Sequence, residues 1–269
     1  MISSSTIIAF IIALLLTLVL PVFLLIALGT QKRISFLPLF MGAAAFFFSQ
    51  IILRIPLISA LSTQNWYQNL SAMFIPYTLI LSFSAGLFEE SARLGGALLL
   101  KKRRCYKDVI SFGLGHAFCE VILLAGMTHI NNVVLCLFIN GGEALEPIIA
   151  ALSIEVLEIA SAQLSAVTVV DIYGGIAERF ATVLFHIFAT MLVFSGAAKK
   201  KSYYFGFAIA AHTAFNFTGA LLAYLAGTVI AELVLLILAL AAGWYVLKSR
   251  NSFINCSTEL CPGRNHLKH

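Results

Sequence analysis

Charge is what this sequence has least of: Asp, Glu, Lys and Arg make up 11% of its 269 residues, against 61% hydrophobic residues, and the mean hydropathy is +0.98. A soluble domain is about a quarter charged, so a water-soluble core is excluded. The chain also lacks an internal repeat and a polar linker, so residues 1–250 are expected as one transmembrane helical domain and residues 251–269 as a short, disordered cytoplasmic tail. The five cysteines, Cys105, Cys119, Cys136, Cys256 and Cys261, are odd in number, and of them only Cys136 falls on the expected outer side. No disulfide framework follows from that set.

What the sequence has instead is long apolar runs, at residues 6–29, 34–53, 73–100, 109–130, 174–198, 202–225 and 226–247. Each is near or above the roughly 20 residues that a spanning helix needs. Transmembrane β-strands would be about 10 residues long and would alternate in hydrophobicity, whereas Ile11 to Leu20 is apolar all round. The first run has no basic flank before it and exceeds the roughly 7 to 15 residues of a signal h-region, so it reads as a retained span. The fold class expected is therefore all-α, a polytopic bundle of about seven spans in a cell membrane.

Lys and Arg resist translocation and collect on the cytoplasmic side. Here Lys32 and Arg33, Lys101 to Arg104 with Lys107, Lys199 to Lys201, and Lys248 with Arg250 follow the first, third, fifth and seventh runs, and the tail adds Arg264 and Lys268. Seven spans put all of these on one side, with the N-terminus outside and the C-terminus cytoplasmic. Between Lys107 and Arg179 there is no basic residue, while Glu143, Glu146, Glu155, Glu158 and Asp171 lie there. That acidic stretch is expected outside. The net charge of +5 then reflects topology and anionic membrane lipids, with no nucleic-acid partner implied. Residues 131–173 read as a surface-lying or re-entrant helix, or hide an eighth span, because Val133 to Ile139 is too short to cross and Glu155 and Glu158 interrupt the next run.

The informative residues are those that do not belong in lipid: Glu89, Glu90 and Arg93 in the third run, His116 and Glu120 in the fourth, His186 in the fifth, His212 and Asn216 in the sixth. A charge at bilayer depth costs at least about 2.5 to 3.5 kcal/mol on insertion scales, so such a set needs mutual partners or a wet cavity. Counting about 1.5 Å per residue from the basic cluster at each helix end puts Glu89, Glu90, His116, Glu120, His186 and His212 roughly 14 to 20 Å into the membrane. They share one layer. Residues four apart share a helical face, which pairs His116 with Glu120, His212 with Asn216 and Glu89 with Arg93. Three imidazoles with carboxylates form a donor set that suits zinc, with a position left for water, so His116, His186, His212 and Glu120 are candidate ligands. A nearby glutamate, Glu89 or Glu90, would then act as general base on a peptide carbonyl. Glu178 and Arg179 fall near the outer boundary, where a helix-end or gating role is expected, and His129 reads as solvated.

Four motifs, Phe88-Glu89-Glu90-Ser91-Ala92-Arg93, Gly113-Leu114-Gly115-His116 through Glu120, Glu178-Arg179 with His186, and His212 through Asn216, make the chain resemble the YhfC-type membrane peptidases. These are distant relatives of the CAAX-protease and bacteriocin-processing superfamily that includes PrsW-like proteases. The resemblance implies that Glu89 and His116 activate water and that His212 and Asn216 assist metal binding or oxyanion stabilisation. The chain departs from the larger superfamily in one place, with two residues rather than three between the glutamate pair and Arg93, as in the YhfC group. A substrate-binding role does not carry over to Arg93 on that account. Two functions are in play. One is a metal-dependent intramembrane endopeptidase acting on a membrane protein or peptide; the other is a non-enzymatic bundle, such as a transporter, ion pathway or immunity protein, that uses the same polar layer. Absence of matched helix breaks in two halves favours the peptidase.

Overall fold

The computed structural model describes residues 1–141, 154–250 and 253, so the tail expected beyond residue 250 lies, but for Phe253, outside the described residues. Helices account for nearly all of these: α1 Ser4–Thr30, α2 Phe36–Ser62, α3 Asn65–Ser71, α4 Phe74–Leu99, α5 Tyr106–Asn140, α6 Ile154–Ala166, α7 Val169–Lys199, α8 Tyr203–Ala226 and α9 Thr228–Lys248. Apolar residues dominate every turn of these runs, and without water each backbone polar group must bond within its own helix. Among the described residues six helices, α1, α2, α5, α7, α8 and α9, are long and apolar enough to cross a membrane, and the α3–α4 pair, bent by 108°, raises the number to seven if it is one span. Glu89, Glu90 and Arg93 all sit on α4.

Three helices carry a π-helical stretch, Leu15–Val19 in α1, Phe47–Arg54 in α2 and Val121–Gly126 in α5. The fourth apolar run is longer than expected. Residues 131–140 continue α5, because no glycine or proline interrupts the chain between Gly126 and Gly141, where the helix is capped. Helix α6 covers 13 of the described residues, fewer than a span needs. An eighth span involving residues 142–153 falls outside the described residues.

The chain divides into two compact units. The first comprises Met1–Leu25 and Val121–Arg179. Its core gathers Ala9, Phe10, Ala13, Cys136, Leu164, Ile172 and Ile176. Asn140 closes α5 against the start of the chain, accepting from Ile2 N at 2.8 Å and donating to Ile2 O at 2.8 Å. His129 is not simply solvated, because it is half-buried with its ring 6.1 Å from that of Phe10.

The second unit runs from Ile26 to Glu120 and from Phe180 onward, and it holds every residue of the polar layer. One part of its core stacks Ala97, Val109, Phe112, Met191, Phe194, Ala208 and Val246. Helices α2 and α5 meet backbone to backbone. A Cβ on Gly115 would fall on the Leu39 carbonyl, and one on Gly42 would fall on that of Phe112 beside the His116 amide. Apolar side chains gain little by leaving lipid for a protein interior, so such close approach of small residues is how membrane helices hold together. On α4, Gly86 similarly lets α8 approach, with Ile209 O and His212 Cβ 3.1 and 3.2 Å from where its Cβ would be. Gly113 and Gly96 also face neighbouring helices, whereas Gly95 faces open space. Gly115→Ala is expected to destabilise the protein by about 1 to 3 kcal/mol or more, since the obstacle is backbone, while Gly95→Ala is neutral or stabilising. Thermal unfolding in detergent compares the two.

Candidate metal centre

Four helices of the second unit each deliver an imidazole or a carboxylate to one buried cluster. Helix α4 places Glu89 and Glu90 on adjacent positions, so their side chains leave about 100° apart and reach different neighbours. Glu89 points its Oε2 at three rings: His116 Nε2 of α5 at 3.0 Å, His186 Nδ1 of α7 at 3.8 Å and His212 Nε2 of α8 at 3.8 Å. Glu90 is fully buried and takes the opposite nitrogen of His212, Nδ1, at 2.7 Å. Glu120, one turn beyond His116 on α5, takes the opposite nitrogen of His186, Nε2, at 2.6 Å.

These partners decide which ring nitrogens face inward. With Nδ1–H of His212 donating to Glu90, its Nε2 lone pair is turned toward Glu89. With Nε2–H of His186 donating to Glu120, its Nδ1 lone pair faces the same oxygen and accepts from Arg93 Nη2 at 3.0 Å. A carboxylate behind a histidine whose other nitrogen points into a site is the outer-partner arrangement of metal-binding histidines. It occurs here twice.

Aromatic rings hold the imidazoles in place. Phe185 stands edge-on to His212 with centroids 5.4 Å apart, and Phe46 does the same to His116 at 5.3 Å. His116, His186 and His212 are each at most 2% exposed. The buried His116 Nδ1 has no hydrogen-bond partner, an orphaned lone pair or proton in a site otherwise saturated with contacts.

The structure re-pairs the expected couples. Arg93 bonds Glu90, three residues back, and not Glu89, four residues back. His116 and Glu120 share a face but reach across to different helices, His116 to Glu89 and Glu120 to His186. Asn216 is half-buried one turn beyond His212 on α8 and lies outside the hydrogen-bonded cluster. Glu178 and Arg179 pair with each other in the first unit.

Two residues that the sequence reading passed over complete the site. Gln50 of α2 is 3% exposed and donates from Nε2 to Glu89 Oε1 at 2.8 Å. Arg54, one turn on, donates from Nη1 to Gln50 Oε1 at 3.0 Å, from Nε to Ser84 Oγ at 3.0 Å and from Nη2 to the Leu81 carbonyl at 2.8 Å. The signal was present as two polar residues four apart at the end of an apolar run. Run length does not reveal it, since Gln50 lies inside the apolar run 34–53 and Arg54 directly follows it.

Among the described residues, Glu89, His186 and His212 form a group able to hold a metal ion, each offering one atom, all within 4.8 Å of one another. Ligands about 2.0 to 2.1 Å from a tetrahedral ion stand roughly 3.3 to 3.5 Å apart, so the observed 3.8 Å separations need only a small contraction. Formal charge points the same way. Three carboxylates, Glu89, Glu90 and Glu120, outnumber the two guanidiniums beside them, Arg93 and Arg54, so the cluster is formally negative and favours a cation.

The site sits inside a longer stretch of likeness to known proteins. Over 242 residues, 87% of this chain and 92% of the relative, the sequence is 24% identical to the uncharacterized membrane protein YhfC of Bacillus subtilis (strain 168). No solved structure matches it. Residues 16–239, which include Gln50, both glutamates of α4 and all three clustered histidines, match the YhfC intramembrane metalloprotease family. This multi-pass membrane protein therefore belongs to the YhfC intramembrane metalloprotease family.

Proposed function

We propose that the chain is a metal-dependent endopeptidase that hydrolyses peptide bonds of membrane-embedded or membrane-proximal substrates, with zinc as its ion. The observation that carries this reading is the pair of inward-turned histidine lone pairs, His186 Nδ1 and His212 Nε2, each 3.8 Å from one oxygen of Glu89 and each backed by its own carboxylate. A polar layer serving only to glue helices together has no need to aim two lone pairs at a carboxylate. Two histidines and one glutamate form a catalytic zinc set with an open fourth position. When bound there, the ion supplies Lewis-acid polarisation of a carbonyl and acidifies water.

The remaining work falls to the chain's own residues. Glu90 and Glu120 hold His212 and His186 in the required tautomers, so neither ring has to reorient. His116 donates from Nε2 to Glu89 Oε2 at 3.0 Å, which leaves its unpartnered Nδ1 as the lone pair able to accept the proton of an attacking water. Asn216, one turn from His212, is within the same helix segment and is assigned the polarisation of the substrate carbonyl, as the family resemblance implies. Arg93 neutralises Glu90, and its bond to His186 Nδ1 would have to be released for that nitrogen to hold an ion. By the positive-inside rule the site is assigned to the cytoplasmic half of the membrane, with the N-terminus outside, a reading that the basic ends of the apolar runs support.

Metal analysis of detergent-purified protein tests the reading when combined with His116→Ala. Wild type is expected to carry about one equivalent of zinc, and His116→Ala to keep it while losing cleavage of a membrane-peptide substrate by about 10² to 10⁴-fold. A wild-type protein free of divalent metal, after purification without chelators, sinks the proposal.

A further inference from the structure

The contact that this reading leaves unused is the one on the far side of Glu89. Its Oε2 faces the three imidazoles, while its Oε1 is taken by Gln50 Nε2 at 2.8 Å. An amide on one oxygen prevents the carboxylate from turning to present both, so the carboxylate offers the histidines one oxygen only. Gln50 itself is held in that orientation from behind. The Arg54 Nη1 bond to Gln50 Oε1 can be made only when the amide points its NH2 at Glu89, and the two further Arg54 bonds, to Ser84 Oγ and Leu81 O, tie the guanidinium to α4, the helix that carries Glu89.

Local backbone geometry assists this. Gln50 and Arg54 lie in the π-helical stretch Phe47–Arg54, where wider turns change the angular spacing of side chains relative to a regular helix. Gln50, at 3% exposed, and its neighbour Ser49, at 1%, are turned inward from a helix whose other residues here, Phe47, Phe48, Ile52 and Leu53, are exposed to lipid. A buried polar pair inserted into an otherwise lipid-facing stretch is expensive to maintain unless its bonds matter.

We infer that Gln50, locked by Arg54, is a positioning residue that restricts Glu89 to one-oxygen engagement with the histidine cluster and thereby sets the affinity of the site for its ion. The inference rests on the proposed metal site. Outer partners of this kind are worth about 10- to 100-fold in metal affinity.

The test is competition between purified protein and a zinc-binding dye in Gln50→Met, Arg54→Lys, Glu89→Gln and the Gln50→Met/Glu89→Gln double variant. Met fills the volume of Gln without a donor, so Gln50→Met is expected to weaken zinc by about 10- to 100-fold. Arg54→Lys keeps the charge but loses the three-point grip on Gln50 and α4, and a smaller loss is expected. In the Glu89→Gln background the Gln50 substitution should have no further effect, because its action passes through Glu89. A purely structural role would instead lower affinity equally in both backgrounds. Unchanged affinity in Gln50→Met, or an equal loss with and without Glu89, overturns the inference while leaving the metal site standing. A wild type that takes up no zinc overturns both. Should Gln50→Met not purify as folded protein, Arg54→Lys with and without Glu89→Gln decides the matter by the same comparison.

Discussion

His212→Ala and His186→Ala, purified under conditions that leave wild type with its ion, should each weaken metal binding by more than about 100-fold, a larger loss than the 10- to 100-fold typical of outer partners. Cleavage activity should fall with it. The reason is geometric: each ring contributes the lone pair that no neighbour can replace, since His116 Nε2 is already engaged with Glu89 and Arg93 carries only donors. Glu120→Gln is the control that gives this prediction its edge. Glutamine at that position can still accept from His186 Nε2, so metal should be weakened but present, whereas equal losses in Glu120→Gln and His186→Ala would mean that Glu120 is itself a ligand. Inductively coupled plasma analysis and a chelator competition read both. The sequence makes Glu120 a candidate ligand, the structure shows it bonded to His186 Nε2, and the comparison of these variants decides between the two roles.

Arg93→Met should lower stability by about 3 to 5 kcal/mol, the penalty for leaving one member of a fully buried ion pair uncompensated. Glu90 and Arg93 are both 0% exposed, and among the described residues the only other polar group bonded to Glu90 is His212 Nδ1. Lipid offers no water to rescue the orphaned carboxylate. The same substitution frees His186 Nδ1 from the guanidinium, so the folded fraction of Arg93→Met should bind zinc no more weakly than wild type. That combination, stability lost with affinity kept, is the opposite of what His212→Ala should show. Adding Glu90→Gln to Arg93→Met should restore part of the stability, because the neutral amide no longer needs a counter-charge. Unfolding in mixed detergent micelles measures the first effect; a melting midpoint unchanged in Arg93→Met would show that the pair is not needed to hold α4.

The membrane character and most of the helix positions were legible from composition and run length, because a span must be about 20 apolar residues long and must satisfy its own backbone. Convergence of Glu89, His116, Glu120, His186 and His212 was legible too, from equal depth on antiparallel runs. That inference works because rise per residue is nearly constant, and so position along a helix translates into depth.

Who bonds to whom could not be read that way. Helical spacing predicts neighbours on one helix, such as His116 with Glu120 or Glu89 with Arg93, yet in the structure those side chains, Arg93 with Glu90 excepted, spend their bonds across helices. Rotation of each helix about its own axis sets those partners, and that rotation is fixed by backbone contacts at Gly42, Gly86 and Gly115, which no periodicity in α4 or α8 reveals. Gln50 and Arg54 were missed for the same reason. They lie on a π-helical stretch whose phase differs from the regular helix, so their inward aim is a property of the folded backbone rather than of their spacing. The sequence by itself determined that this protein is a helical membrane bundle with a buried layer of carboxylates and imidazoles. Only the tertiary structure decided which nitrogens face Glu89, which carboxylates stand behind them and which oxygen Glu89 has free, because helix rotation and hydrogen-bond partners emerge only when the helices pack.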